Sequence, residues 1–210
     1  MIPVAVQPEP TDFSAKVRLP GMTFLAKVAK PTSQEYRRSN ARYWSHARGD
    51  LYNAYGGICA YCAQWVPLLT ATVDHYVPKS ESSDLAYEWT NYRLSRDKLN
   101  HYKDNSVDVM DPFRIQYDWF TIDFTNFLIR PRLDLPAYLD MHVHATIEVL
   151  KLNKDNDLVQ ERVRILIDYS NDVYPLDFLE RRYPFIAHEL KRQGLEVDIK
   201  ARLRVTPKMI

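Results

Sequence analysis

An Asp-His pair, Asp74 and His75, closes an alternating apolar run. Trp89 and Asn91 follow a polar loop, and Asn100, His101 and Lys103 stand on the next helical stretch. These residue types together can hydrolyse a phosphodiester, which needs an activated water, a cation on the phosphate and fixed geometry. His75 suits the first task, because an imidazole titrates near neutrality and can take a proton from water. Asp74 suits the second, since a hard cation such as Mg²⁺ prefers carboxylate oxygen. The amide oxygen of Asn100 can be a second ligand, with His101 as the alternative. Lys103 lies three residues on, shares the face of Asn100 and can neutralise a phosphate.

Adjacent strand residues point to opposite faces. Asp74 and His75 can therefore serve one site only if the strand ends there, which Pro78 and the polar loop over 79–87 allow. The elements that must hold this site read as strands over 58–61 and 70–76 and a helix over 96–105, a β-β-α unit. Before it, Thr32 and Glu35 fit a capping box that opens a helix over 34–55. Tyr36, Tyr43, Ala47, Leu51 and Ala54 share one face of that helix, and Gly56-Gly57 ends it. Arg37, Arg38, Arg42 and Arg48 lie mostly on other faces and are open to two readings, solvation or phosphate contact.

After the unit, residues 107–131 alternate as a strand or hairpin. Helices are expected over 136–153, 157–171, 176–182 and 185–193, and a last strand through Leu195, Val197 and Ile199. The pattern is α+β in class. It divides into a proline-rich arm over 1–31 that packs on the domain or stays partly mobile, a core over 32–106 with its leading helix, and an extension over 107–210. His142 and His144 are two apart on a helix and diverge, and His188, among apolar residues, reads as structural.

The chain has 210 residues, 46% hydrophobic and 26% charged, enough to bury a core. No apolar run approaches the ~20 residues that span a bilayer, so no membrane association is expected. The first residues lack the basic and apolar regions of a signal peptide. Cys59 and Cys62 are too few for a disulfide scaffold, and a reducing cytoplasm is the expected compartment. The net charge is +1, but 15 acidic and 7 basic residues lie between Asp104 and Glu180, and 8 basic and 3 acidic between Arg181 and Lys208. Screening over ~8–10 Å lets such a chain hold an anion locally.

The segments DHYVPKS, WTNYRL and LNHYK stand in the order of the HNH, or ββα-metal, nuclease motif, and the chain resembles that family. The resemblance implies a general base at His75, metal ligands at Asp74 and Asn100, and an Asn91 that fixes the loop bearing the histidine. Lys79, in the first segment, and Lys103 are then the phosphate-binding cations. The implied activity is metal-dependent endonuclease cleavage of nucleic acid, with DNA the expected substrate and Mg²⁺ or Mn²⁺ the cofactor. The alternative is a catalytically silent binding module on a decayed HNH scaffold.

Weaker flanks, DPF at 111–113, Trp119-Phe120, LKLN at 150–153 and PFIAHEL at 184–190, are similar to HNH proteins of bacterial defence modules of the Septu and retron-associated types. They imply an anti-phage effector that works with a P-loop ATPase, docked on the acidic extension at about 133–195. One departure stands out. Family members often complete a structural zinc site with a second CxxC, and the matching positions here are Arg96 and Leu99. Cys59 and Cys62 supply only half of the four ligands such a site needs, so structural zinc is not expected.

Overall fold

The computed structural model describes residues 1–204; the end of the basic C-terminal stretch, 205–208, lies outside the described residues. The architecture mixes helices with two small antiparallel sheets, an α+β arrangement around one continuous apolar core. Among the described residues no helix is long and apolar enough to cross a membrane.

The N-terminal stretch is more ordered than its prolines suggest. A wide turn over Ser14–Arg18 runs into α1 (Leu19–Leu25), and Phe13, Val17, Phe24 and Leu25 are buried in the core. Gly21 lies flat against the ring of Tyr87, where a Cβ would fall 2.2 Å from the ring carbon. The segment before α1 is pinned as well. The Trp89 indole donates to the carbonyl of Gln7 at 2.8 Å, and the amide of Val4 to that of Pro112 at 2.9 Å.

The helix expected over 34–55 is broken into three. The capping box is present, with the Thr32 hydroxyl accepting from the Glu35 amide at 3.2 Å and Glu35 accepting from the Thr32 amide at 2.7 Å. It opens α2 (Ser33–Arg38), which stops at Ser39-Asn40. Asn40 takes φ +50°, a conformation asparagine adopts more readily than most residues. A tight turn over Tyr43–Ala47 then leads into α3 (Arg48–Ala54). The breaks bury Tyr36, Ala41, Trp44, Ala47 and Leu51 together, which a straight helix could not do from one face.

The strand expected over 58–61 is not a strand. Residues 59–64 form a closed turn, with Cys59 N–H on the Gln64 carbonyl at 2.9 Å, Ala63 N–H on the Cys59 carbonyl at 2.9 Å, and Ala63 at φ +52°. Strand β1 (Ala71–His75) pairs instead with β2 (Tyr92–Arg96), antiparallel, with Asp74 opposite Arg93 and His75 opposite Tyr92. Tyr92, Arg93, Leu94 and Ser95 are all buried. A strand covered on both faces carries no polar-apolar alternation to mark it. Helix α4 (Asp97–Lys103) follows at once, close to its expected range.

The extension closes over this unit. The expected hairpin is β3 (Phe120–Asp123) paired with β4 (Leu128–Pro131). Then come α5 (Ala137–Val149), α6 (Asn156–Ser170), α7 (Leu176–Arg182) and α8 (Pro184–Arg192). The last segment is a helix, α9 (Asp198–Arg204), not the expected strand. It packs on α6 with Ile199 buried, while Val197 just before it is exposed.

Polar contacts tie the extension to the unit. Tyr102 donates to Asp155 at 2.8 Å, Arg96 pairs with Glu161 at 2.8 Å, and the Trp65 amide donates to the Arg182 carbonyl at 2.8 Å. The flanking motifs find structural work. Asp111 takes the buried Arg93 guanidinium at 2.7 Å, and the guanidinium carbon lies 3.4 Å from the Phe113 ring centre. Asn153 bonds both the N–H and the carbonyl of Ile129 in β4.

Candidate functional site

A cavity of about 410 Å³ opens between α4, the end of β1 and the α2 segment. Asp74, His75, Lys79, Asn100 and His101 all line it. Asp74 and His75 both line this space although they are neighbours on β1, which ends at His75.

His75 is buried and oriented by its surroundings. Its Nε2 lies 2.9 Å from the Ala86 carbonyl. A carbonyl only accepts, so Nε2 carries the proton and Nδ1 keeps its lone pair. Trp44 and Tyr92 meet the imidazole edge-on, with ring centres at 5.0 and 5.2 Å. Lys79 Nζ lies 3.3 Å from Nδ1 and 4.8 Å over the Trp44 ring. Burial, and then the Lys79 ammonium, push the His75 pKa well below the ordinary histidine value, so the ring is neutral at pH 7.

Asn91 holds the loop that supplies that carbonyl. Its Oδ1 accepts from the Val77 amide at 2.8 Å, and its Nδ2 donates to the carbonyls of Val77 at 3.0 Å and Leu85 at 3.1 Å. The side chain thus bridges the chain just after His75 to the residue before Ala86. It does not reach the cavity wall.

Asp74 forms the cavity floor. Tyr61 donates to its Oδ2, and Lys103 Nζ lies 3.4 Å from Oδ1. Burial raises the Asp74 pKa, against the pull of Lys103, Tyr61 and Arg93. Burial and the adjacent Asp74 also hold the Tyr61 phenol well above its ordinary value, so it stays a donor. Lys103 is itself buried, with its ammonium on Asp74 and, at 2.9 Å, on the His75 carbonyl. It sits beneath the site, not on its wall, whereas Lys79 faces the cavity. Asn100 is half-buried, and its carboxamide makes no hydrogen bond among the described residues; His101 beside it is exposed. Each carboxylate oxygen has two lone-pair sites. Asp74 can therefore keep Tyr61 and Lys103 and still offer an oxygen, and the Asn100 carboxamide, on the same cavity, carries a second candidate oxygen.

The two cysteines are buried and unbonded. The Arg96 amide donates to Cys59 Sγ at 3.4 Å. Burial pushes the Cys59 thiol up, but hydrogen bonds from Cys62 and nearby amides outweigh it and hold Cys59 at about 6, while burial keeps Cys62 well above its ordinary value. Among the described residues no His, Asp or Glu joins the pair in a converging group of three. The Arg96 side chain, at one of the positions matching a second cysteine pair, runs to Glu161 and anchors the unit to α6.

Sequence reasoning missed a second polar cluster. Asp118, His188 and Glu189 each bring a ligand atom within 4.8 Å of the others and could hold a metal ion. His188 Nε2 is 2.9 Å from Asp118. Cations already occupy this cluster. Arg192 Nε lies 2.7 Å from Glu189 and 3.6 Å from Asp118, and Glu189 also accepts from Thr121, Ile122 N–H and Gln193. A divalent ion would have to displace that guanidinium. His188 and Glu189 are neighbours on α8, but Asp118 lies 70 residues from His188 in the chain, so no local spacing announces the cluster. The same holds for Tyr61 beneath Asp74.

No family model matches the chain, and none of the curated proteins is similar to it.

Proposed function

We propose that the protein is a metal-dependent endonuclease of the HNH, or ββα-metal, kind. The observation that carries the reading is the fixed imidazole of His75, protonated at Nε2 and with Nδ1 beside Lys79, on a cavity that Asp74, Lys79 and Asn100 also line. The β1–β2–α4 order supports it, as does an Asn91 that braces the histidine loop. Asp74 and Asn100 would hold a Mg²⁺ or Mn²⁺ ion, which when bound supplies charge stabilisation at the phosphate and the leaving oxygen.

His75 Nδ1 takes a proton from water as the water oxygen bonds to phosphorus and the bond to the leaving oxygen breaks; solvent returns a proton to that oxygen. Lys79 rests on the same Nδ1, and an incoming phosphate draws its ammonium away and frees the lone pair. Lys103 acts through others, setting Asp74 and the His75 carbonyl. The test is incubation of the purified chain with supercoiled plasmid and single-stranded oligonucleotides in Mg²⁺ or Mn²⁺. Asp74→Ala and Asn100→Ala are each expected to abolish metal-dependent cleavage, with His101→Ala close to wild type. Loss in His101→Ala with activity kept in Asn100→Ala would reassign the ligand on α4.

The second part of the reading is a protein partner on the extension, for which a P-loop ATPase of a defence module is the candidate. Leu133, Tyr138 and Met141, at and just before the start of α5, are 86%, 62% and 61% exposed, large apolar side chains facing solvent. Tyr138→Glu with Met141→Glu is expected to abolish co-purification with the ATPase from the native host and to leave cleavage by the isolated chain unchanged. Equal recovery of the ATPase with the double variant would refute this placement.

A further inference from the structure

The two walls of the cavity differ in charge. Asp97, Asn100 and Asp104 come from α4 and the residue that caps it, whereas Arg37, Arg42 and Lys79 come from α2, the turn after it and the histidine loop. Arg18, Arg93, Arg96 and Arg192 each pair with a carboxylate. Arg37 and Arg42 pair with none among the described residues, although both line the cavity. Five residues of unbroken helix would turn them ~140° apart; the chain breaks at Asn40 between them, and both line the one cavity.

A second observation marks the same wall. Tyr36 is 2% exposed and lines the cavity, and its buried hydroxyl has no hydrogen-bond partner among the described residues. Buried polar groups are nearly always satisfied, so an orphan donor on a residue that lines a cavity calls for an absent acceptor. The ring cannot swing away to find one, because Phe24 and Trp44 pack on it at 5.5 and 5.4 Å between centres. Two unpaired guanidiniums and one orphan hydroxyl suit a phosphodiester oxyanion, which guanidinium binds through paired hydrogen bonds.

We propose that Tyr36, Arg37 and Arg42 form a backbone-binding wall that grips nucleic-acid phosphates flanking the one cleaved at His75. The proposal rests on the nuclease reading for the position of the cleaved phosphate, while the binding itself can be tested apart from cleavage. Affinity of the wild-type chain for labelled single-stranded and duplex oligonucleotides would be measured across a salt series in EDTA. Arg37→Ala with Arg42→Ala is expected to reduce the slope of log affinity against log salt by about 1.4–1.8, the release of counterions from two phosphate contacts. Tyr36→Phe removes only the hydroxyl. It is expected to weaken binding about tenfold, the loss of a hydrogen bond to a charged group, without lowering the melting temperature, since the hydroxyl bonds none of the described residues.

An unchanged slope in the double variant, wild-type affinity in Tyr36→Phe, or no binding by the wild-type chain would each overturn the proposal. The first two would leave the nuclease reading standing if cleavage still depends on His75. A changed slope without His75-dependent cleavage would support the wall and remove the nuclease.

Discussion

Replacing His75 with alanine is expected to lower cleavage by about 10²–10⁴, the usual share of a general base, with the far-UV spectrum of the wild type retained. The pH profile separates this role from a structural one. Burial and Lys79 depress the His75 pKa, so the base is already neutral throughout the ordinary histidine range. The wild-type rate should stay level as pH falls through about 6.5, the unperturbed value, and decline only below it. Stability follows the same sign. A depressed folded-state pKa contributes stability that is complete above the unfolded value and is lost as pH falls below it. The melting temperature should therefore drop on acidification below about 6.5, and His75→Ala should show a smaller drop. Wild-type-like cleavage by His75→Ala, or a wild-type rate that titrates at the ordinary histidine pKa, would contradict the assignment.

The largest stability effect is expected at Asp111. Arg93 lies opposite Asp74 across the β1–β2 pair and is 3% exposed, with Asp111 as its only carboxylate partner among the described residues. Asp111→Ala leaves that guanidinium buried and unpaired, a loss of about 3–5 kcal/mol. For a chain of this length that lowers the melting temperature by about 10 °C. Removing both charges, as Arg93→Met with Asp111→Leu, should recover most of the loss, because well-packed apolar side chains can replace a buried pair at little cost. Calorimetry or denaturant titration of the three variants decides it. A loss below about 1 kcal/mol in Asp111→Ala would mean that water or a shifted side chain solvates Arg93 in that variant.

Much of the site was legible because its residues fall within a short stretch. The Asp74-His75 pair, Asn91 and the helix carrying Asn100 are local features, and strand and helix periods place them without distant information. The capping box at Thr32 and Glu35 was readable for the same reason, since both partners lie within one turn. The helices of the extension were legible from their apolar spacing. Strand β2 was not, because burial on both faces erased its alternation. The closed turn at Cys59 was misread as a strand because its bonds run to Gln64 within the turn and to Leu94 across it, and no period encodes either.

The sequence by itself determined which groups could do chemistry and roughly which elements carry them, since residue type and local spacing suffice for that. Only the tertiary structure decided how each group is used. Packing sealed Lys103 beneath Asp74 and left Lys79 on the cavity. It fixed the free nitrogen of His75 through a carbonyl eleven residues away. It also broke the leading helix so that Arg37 and Arg42 face the same space. These outcomes depend on burial and on contacts between distant segments, where the cost of leaving a charge or polar group unpaired selects one arrangement among many that the local sequence allows.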